Sequence, residues 1–266
     1  MTDTRGIVHP RAGLEHFALH RYPPPEALAP YVDRVWCVRW ELAPDEIFEQ
    51  PILAHPCVNL VIEADRAAVY GVPTRLSRQR LTGTGWAVAA MFRPGGARPF
   101  LNSPAREWTD QVVDISRHWG VAGAELVAAV RAVGGSASTA EQTRVNRLME
   151  FLLDLAPDAP PVDTVDAVAA AELVARDRQL CRVEDLAERA GIEIRSVQRL
   201  FAEQVGLSPK QVIRRYRLLE AAETSAHGTP VIWADVARKL GFSDQAHLTR
   251  DFTAAFGVSP ARYAAG

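Results

Sequence analysis

The sequence predicts an α+β protein of two domains: a mostly β, barrel-like N-terminal domain with appended helices, and an all-α C-terminal domain. Three observations predict this division. Short runs of β-forming apolar residues occur only before residue 93, and helical periodicity without strand signals runs from residue 162 nearly to the end. A proline-rich stretch, Ala156–Pro161, separates the two parts. We therefore predict domains at 1–157 and 158–266.

Three short runs predict strands in the first domain: Val35–Trp40, Val58–Glu63 and Trp86–Phe92. Glycines and prolines separate them. Ser103–Pro104 predicts an N-cap followed by proline at the first helical position, and Gly120–Val133 predicts a helix. The strands come first and the helices are appended near the end of the domain.

The last segment of the first domain predicts a helix over Thr139–Leu155. Thr139 and Gln142 have the spacing of a capping box, and the prolines that follow would end the helix. Four aliphatic residues repeat at heptad a/d spacing along it: Val145, Leu148, Leu152 and Leu155. Two interpretations stay open, since this stripe serves either as the seam of a homodimer or as a contact with its own domain.

The second domain contains an internal repeat. Residues 199–209 and 250–260 both read R-x-F-x-x-x-x-G-x-S-P, and Asp185–Ala187 matches Asp235–Ala237 upstream. Each copy predicts two helices joined by a turn that contains glycine. The predicted elements are Val183–Ala190, Gly191 and Arg195–Val205 in the first copy, and Trp233–Leu240, Gly241 and Asp244–Phe256 in the second. Such a turn is the motif that places a second helix in the DNA major groove.

Polar side chains that hydrogen-bond base edges and phosphates lie on the outer face of each second helix. The candidate DNA-binding residues are Arg195, Ser196, Gln198 and Arg199 in the first copy, and Gln245, His247, Thr249 and Arg250 in the second. In a single copy, such a face is more often simply the solvated side of a helix. Arg199 and Arg250 have an alternative role as internal ion-pair partners of Glu188 or Asp235. Repetition of the whole pattern favours DNA contact.

A predicted helix from Ser208–Pro209 to Ala226 connects the copies, with Ser208 as its N-cap. A helix of about 18 residues is about 27 Å long, which suits two recognition helices about 34 Å apart, one turn of B-DNA. Its residues include an apolar stripe and three arginines: Val212, Tyr216, Leu219, Ala222, Arg214, Arg215 and Arg217.

These motifs closely resemble the DNA-binding domain of the AraC/XylS family of bacterial transcription regulators, over about residues 164 to 264. The matching residues are Gly191, Arg199–Phe201, Gly206–Pro209, Arg215–Ala221, Ala237, Gly241–Phe252 and Phe256–Pro260. The resemblance implies a seven-helix module that inserts both recognition helices into successive major grooves. Two departures are Glu193, in place of a serine or threonine cap, and His227–Pro230, an unusual lead into the second unit.

The first domain resembles the sensor domain of one branch of this family. The residues that carry the likeness are Tyr22–Pro25, Leu28, Pro30–Val32, Trp36, Pro56, Phe92–Gly96, Asp114 and Trp119–Gly120. The resemblance implies a regulatory module and names no ligand. Besides double-stranded DNA, the expected partners are a small-molecule effector at this domain, RNA polymerase and a second copy of the chain; we expect no cofactor, no metal and no membrane contact.

Other chemistry in the first domain has weaker support. His55-Pro56-Cys57 is a weak zinc or nucleophile signal, and a loop entering the strand at Val58 explains it as well. Phe92–Gly96 is typical of a strand-ending turn, although Arg93 at a barrel mouth would suit an anion. Four aromatic residues either fill a core or line a pocket, the core being favoured: Trp36, Trp40, Trp86 and Phe92.

Composition sets the remaining limits. The chain is 48% hydrophobic and 23% charged, as in ordinary globular proteins, and its net charge of −2 does not exclude DNA, because phosphate contact needs only one basic face. Three cysteines without zinc spacing, the absence of a signal sequence in Met1–Pro10 and the absence of a long apolar stretch predict a cytoplasmic protein.

The function predicted is that of a sequence-specific transcription regulator without enzymatic activity. Two alternatives stay open. An enzyme domain fused to a DNA-binding module would need Cys57 as a nucleophile beside a metal or a base. An architectural DNA binder would need no ligand.

Overall fold

The computed structural model describes residues 6–225 and 231–265, so Met1–Arg5, Ala226, His227–Pro230 and Gly266 lie outside it. Its N-terminal part contains strands β1 (Phe17–Tyr22), β2 (Val32–Glu41), β3 (Ile47–Ile52), β4 (Asn59–Glu63), β5 (Ala67–Tyr70), β6 (Ser77–Thr82), β7 (Thr84–Phe92) and β8 (Val112–Asp114). Six of them form an antiparallel sheet in the order β1-β2-β7-β4-β5-β8, and β3 pairs with β6. The three strands expected from sequence are β2, β4 and β7.

The two faces of β2 border different parts of the protein. Val35 and Cys37 are buried on the face that the helices cover, whereas Trp36 and Trp40 point the other way and line a cavity between the two sheets. The expectation that the aromatic residues fill a core is therefore wrong for these two tryptophans and correct for Phe92, which is 1% exposed. Strand alternation decides the difference.

Two helices cover the large sheet: α2 (Ile115–Arg131) and α3 (Ala137–Leu155), after a short N-terminal helix, α1 (Pro10–Gly13). Helix α2 starts earlier than predicted, because Asp114 caps its first turn by accepting from the backbone N–H groups of Ser116 and Arg117. Its backbone breaks helical geometry at Gly120, with φ 59° and ψ −132°.

The predicted helix start at Ser103–Pro104 is wrong. Pro104 precedes a 3₁₀ turn, Ala105–Trp108, rather than occupying the first position of an α-helix. Trp108 lies in the core and its indole N–H donates to the Ser103 hydroxyl over 3.1 Å. The turn lies between β7 and β8, two strands of the large sheet, and also contacts the C-terminal part.

The capping box proposed at Thr139 and Gln142 is also wrong. Ser136 occupies the N-cap position of α3, and Thr139 lies inside the first turn, where its carbonyl accepts from Thr143. Three residues of the heptad stripe are fully buried against the sheet and α2: Val145, Leu148 and Leu152. The stripe therefore packs on its own domain and does not form a dimer seam. Heptad spacing describes any amphipathic helix that is packed on one side.

Seven helices make up the C-terminal part of the described chain: α4 (Val162–Arg176), α5 (Val183–Ala190), α6 (Ile194–Leu200), α7 (Pro209–Ser225), α8 (Trp233–Lys239), α9 (Gln245–Phe256) and α10 (Pro260–Ala265). A π-helical turn, Phe201–Val205, continues α6. The predicted boundary at residue 157 falls between α3 and α4, and one hydrophobic core runs across it without a break. No helix in the described ranges is long and apolar enough to cross a bilayer.

Candidate DNA interface

Helices α5 and α6 form the first predicted unit. Helix α5 ends at Gly191, whose φ of 68° lets the chain reverse, and the N–H of Ile192 donates to the carbonyl of Ala187 over 3.1 Å. Val197 and Phe201 are fully buried, so one face of α6 is packed into the core. The predicted helix-turn-helix geometry is present.

Helices α8 and α9 repeat this arrangement. Gly241 has a φ of 74°, and the N–H of Phe242 donates to Ala237 over 2.9 Å, just as Ile192 donates to Ala187 in the first unit. Leu248 and Phe252, on the inner face of α9, are fully buried. Both units therefore present their second helix, α6 or α9, in the same way.

The structure brings the eight predicted site residues together as two groups of four, one on α6 and one on α9. The exposed members are Arg195, Gln198, Arg199, Gln245 and Arg250, and the half-buried members are Ser196, His247 and Thr249. Among the described residues, neither Arg199 nor Arg250 forms an ion pair, and Asp235 pairs instead with Arg238 at 2.9 Å. The internal ion pairs proposed for Arg199 and Arg250 are thus not formed, which leaves both guanidinium groups available to a nucleic acid.

The starts of the two recognition helices differ. Asp244 caps α9, its carboxylate accepting from the N–H of His247 over 2.7 Å, and this backbone hydrogen bond lowers the pKa of Asp244. Glu193 holds the equivalent position before α6 and its side chain makes no capping bond. The departure noted in the sequence therefore leaves α6 without a side-chain cap.

Two residues outside the predicted set also belong to this surface. Asp251 lies in α9 with 14% of its side chain exposed, and it pairs with Arg214 of α7 at 2.6 Å and with His247 at 3.4 Å. The i,i+4 spacing of His247 and Asp251 is a sequence signal for such a contact. The partner on α7 is 37 positions away (214 to 251) and no local pattern indicates it.

The two sheets of the N-terminal part enclose a cavity of about 410 Å³. Its walls are mainly apolar and aromatic, and include Phe17, Trp36, Val38, Trp40, Ile52 and Tyr70. Several charged groups on the walls are paired inside the protein: Arg66 with Glu63 at 3.0 Å, and Arg34 with Asp33. The Tyr70 hydroxyl is buried without a hydrogen-bond partner in the described chain, and burial raises its pKa.

Cys57 is a poor candidate for chemistry. It is 2% exposed, and burial raises the pKa of its thiol to about 12, so the reactive thiolate is scarce at neutral pH. Its neighbour His55 lies against the Tyr216 ring, with centroids 6.1 Å apart. Within residues 6–225 and 231–265, no three His, Cys, Asp or Glu side chains converge as metal ligands.

Arg93 does not lie at a barrel mouth as an anion site. Its Nε donates to the carbonyl of Ala29 over 2.7 Å, and its Nη1 pairs with Glu172 on α4. The turn after β7 therefore connects the N-terminal part to the C-terminal helices.

Comparison with known families matches the two halves separately. Residues 186–266 match a family described as a helix-turn-helix domain, and residues 20–114 match a domain of unknown function, DUF6597. The chain is similar to the lactose operon transcription activator of Staphylococcus xylosus, with 30% identity over 81 residues, which are 30% of this chain and 29% of the relative. It is 37% identical to the transcriptional activator RhaR of Pectobacterium atrosepticum over 82 residues, 31% of this chain and 28% of the relative.

The chain thus spans less than a third of the length of these relatives. Among solved structures, ToxT from Vibrio cholerae aligns over 94% of this chain and 97% of its own, with 12% identity and a TM-score of 0.41. The sequence similarities to the two activators extend over 81 and 82 residues, about the combined length of the two helix-turn-helix units.

Proposed function

Because this chain carries the helix-turn-helix domain of the AraC/XylS family over residues 186–266, we propose that the protein is a sequence-specific DNA-binding transcription regulator. Helices α6 and α9 enter successive major grooves, and the eight exposed or half-buried residues on them contact bases and phosphates. The observation that carries this proposal is the repeat itself: Arg199 and Arg250 occupy equivalent positions and make no ion pair within the described chain. Residues 1–157 would then be the regulatory domain and residues 158–266 the DNA-binding domain.

Arginine substitutions test this proposal on the full-length protein. The DNA would be a sequence enriched by the protein from a random pool. We expect Arg199→Ala to relax base preference in one half-site and Arg250→Ala in the other, at about 1–3 kcal/mol for each lost bidentate contact with a guanine. Uniform weakening would instead indicate phosphate contact.

The control is Arg117→Ala, which removes an exposed arginine from α2. It should leave affinity unchanged. If both recognition-helix variants stay folded and bind DNA like the wild type, α6 and α9 are not the reading elements and the proposal fails.

The cavity between the sheets is the site proposed for a small-molecule effector. Its lining is mainly apolar, and the Arg66–Glu63 and Arg34–Asp33 pairs neutralise part of the charge on its walls, which also include Arg21 and Asp110. An uncharged, mainly aromatic molecule with one polar group for the Tyr70 hydroxyl fits this chemistry best. Naphthol should therefore quench the fluorescence of the wall residues Trp36 and Trp40 more strongly than naphthoate does, and equal quenching by the anion would contradict the proposed ligand class.

The contact of Arg215 with the cavity wall supports regulation by the N-terminal domain. Arg215 lies on α7, is 7% exposed, and donates to the carbonyls of Ala54 at 2.8 Å and Pro73 at 3.0 Å. Both acceptors also line the cavity. Burial lowers the pKa of this guanidinium, and the charge of nearby Asp110 opposes that shift. A change in the cavity therefore reaches the helix that joins the two units.

A cavity-filling substitution tests this route without a known effector. Ile52→Trp enlarges a wall residue two positions from Ala54 and should change DNA affinity in the wild-type background. The same substitution should have no effect in an Arg215→Met background. Arg93→Met is the matched control, because Arg93 also joins the two parts but is absent from the cavity wall. Equal responses in both backgrounds would exclude Arg215 as the connection.

A homodimer, a contact with RNA polymerase and a cytoplasmic location stay predictions. The buried stripe on α3 is not the interface of such a dimer, because Leu148 and Leu152 have no exposed surface. Sedimentation of the full-length protein measures its oligomeric state directly.

A further inference from the structure

The carboxylate of Asp251 holds groups from two different helices. Its Oδ2 atom is 2.6 Å from Nε of Arg214 on α7 and 3.4 Å from Nε2 of His247, one turn earlier on α9. The Asp251 side chain is 14% exposed, whereas that of Arg214 is 49% exposed. The repeat aligns Asp251 with Leu200 in α6, so the first unit has no counterpart of this carboxylate.

The His247 ring is held at both nitrogens. Its Nδ1 lies 3.1 Å from the hydroxyl and 3.4 Å from the backbone nitrogen of Ser243. Because a backbone N–H can only donate, Nδ1 is the acceptor, and in the neutral ring the hydrogen is on Nε2, facing Asp251. The edge of the ring also meets Phe242, with centroids 5.3 Å apart. Asp251 and Ser243 therefore fix both the tautomer and the orientation of this ring.

The charge of Asp251 gives Arg214 a second role. A carboxylate on a helix that enters the major groove is repelled by DNA phosphates unless a cation neutralises it. Arg214 supplies that cation from α7, outside the recognition helix. In the first unit, Leu200 carries no charge and needs no such partner.

We propose that Asp251 is a positioning residue of the second recognition helix. Through Arg214 it fixes α9 on α7, and through His247 it sets the base preference of the second half-site. This inference rests on the proposed function, since it assumes that α9 reads DNA. It assigns specificity to a residue that acts through its neighbours.

A double-mutant cycle on the full-length protein tests the ion pair, again with DNA selected from a random pool. Arg214→Met leaves Asp251 without its cation, so affinity should fall roughly three- to tenfold. Asp251→Leu installs the residue of the first unit, and adding it to Arg214→Met should restore affinity to within about twofold of Asp251→Leu alone. Asp251→Asn, which keeps the shape but removes the charge, provides a second variant should the leucine impair folding.

Base preference gives a separate readout. His247→Ala should alter the preference of the second half-site in the wild-type background and should add nothing in an Asp251→Leu background. The control cycle uses Asp235→Asn and Arg238→Met, an ion pair at 2.9 Å whose side chains are 48% and 78% exposed on α8. This pair should show no coupling in DNA affinity.

Three results would overturn the inference: independent effects of the Arg214 and Asp251 substitutions, equal coupling in the control pair, or an undiminished His247→Ala effect without Asp251. If Arg250→Ala weakens binding while the cycle fails, only this inference is lost. If Arg250→Ala and His247→Ala are both silent in folded protein, α9 does not read DNA and the proposed function of the second unit is lost as well.

Discussion

The two helix-turn-helix units share a repeat but are held in different ways. The first is fixed to the N-terminal part, where the Thr109 hydroxyl donates to the carbonyl of Gly206 over 2.6 Å and Arg106 pairs with Glu203. The second is stabilised by contacts within the unit, where the rings of Phe252 and Phe256 stack with centroids 4.2 Å apart. A sequence repeat thus specifies the same helices and the same turn without specifying the same neighbours.

If the proposed function is correct, this difference predicts different roles for the two units. A shift in the N-terminal part acts on the first unit directly, through the turn that ends α6. It reaches the second mainly along α7, which bears Arg215 toward the cavity wall and Arg214 toward α9. In the described chain, the second unit also contacts the N-terminal segment, because the ring of His9 stacks on that of Tyr263 with centroids 4.5 Å apart. We therefore expect the regulation proposed above to move the second unit more than the first.

The largest expected effects come from the equivalent core phenylalanines. Phe201 and Phe252 are both fully buried, and truncation of either should cost about 3–5 kcal/mol of unfolding free energy. Phe201 lies in a segment packed on the N-terminal part, so Phe201→Ala should destabilise both parts together. Phe252→Ala should raise hydrogen exchange mainly in α8 to α10. A uniform rise in exchange in both variants would show that the units are equally coupled to the rest.

Local elements of this protein were predictable from sequence. Helix α5 has the predicted bounds, and Gly191 and Gly241 lie in the predicted turns, where both have a left-handed backbone. These features depend on periodicity and on residues with special backbone freedom, which a single sequence displays. In α3 the start was misplaced because hydroxyl residues at 136, 138 and 139 all suit a cap, and the local sequence does not choose among them.

The contacts that distinguish the two units were not predictable. The candidate site was predicted residue by residue as two polar faces, but Arg214 is 37 positions from Asp251 (214 to 251), and Thr109 is 97 from Gly206. Such pairs depend on how whole helices are arranged, and no local pattern encodes them. That Trp36 and Trp40 line a cavity depends similarly on where the second sheet packs.

The glycines that end the two recognition helices give a sharper comparison. Gly206 and Gly257 have similar φ values, 90° and 77°, so alanine is strained at both, at a cost of about 1 kcal/mol. A Cβ at Gly206 would also lie 2.7 Å from the carbonyl oxygen of Ala105, whereas at Gly257 nothing lies within 4 Å. Gly206→Ala should therefore destabilise the protein more than Gly257→Ala in denaturant unfolding. Equal losses would mean that the first unit is not pressed against the 3₁₀ turn.

The smallest expected effect concerns the N-caps of the two recognition helices. One substitution should give α6 the side-chain cap that α9 has. Glu193 has an extended backbone, φ −65° and ψ 150°, that suits an N-cap, but its longer side chain makes no capping bond. Glu193→Asp installs the residue found at Asp244 without changing the charge. It should raise unfolding free energy by about 0.5–1 kcal/mol at neutral pH.

The pH dependence of stability distinguishes a capping hydrogen bond from other effects of the substitution. At Asp244, the hydrogen bond from the N–H of His247 holds the carboxyl pKa below its ordinary value of 3.8, so the folded state binds this proton less readily than the unfolded state. The stabilisation is complete above the ordinary pKa and is lost as pH falls through the lower, folded value. The gain from Glu193→Asp should disappear over the same acidic range, and so should the difference between wild type and Asp244→Ala. A gain from Glu193→Asp that persists once the carboxyl is protonated would come from helix propensity or solvation, and α6 would then still lack the cap that α9 has.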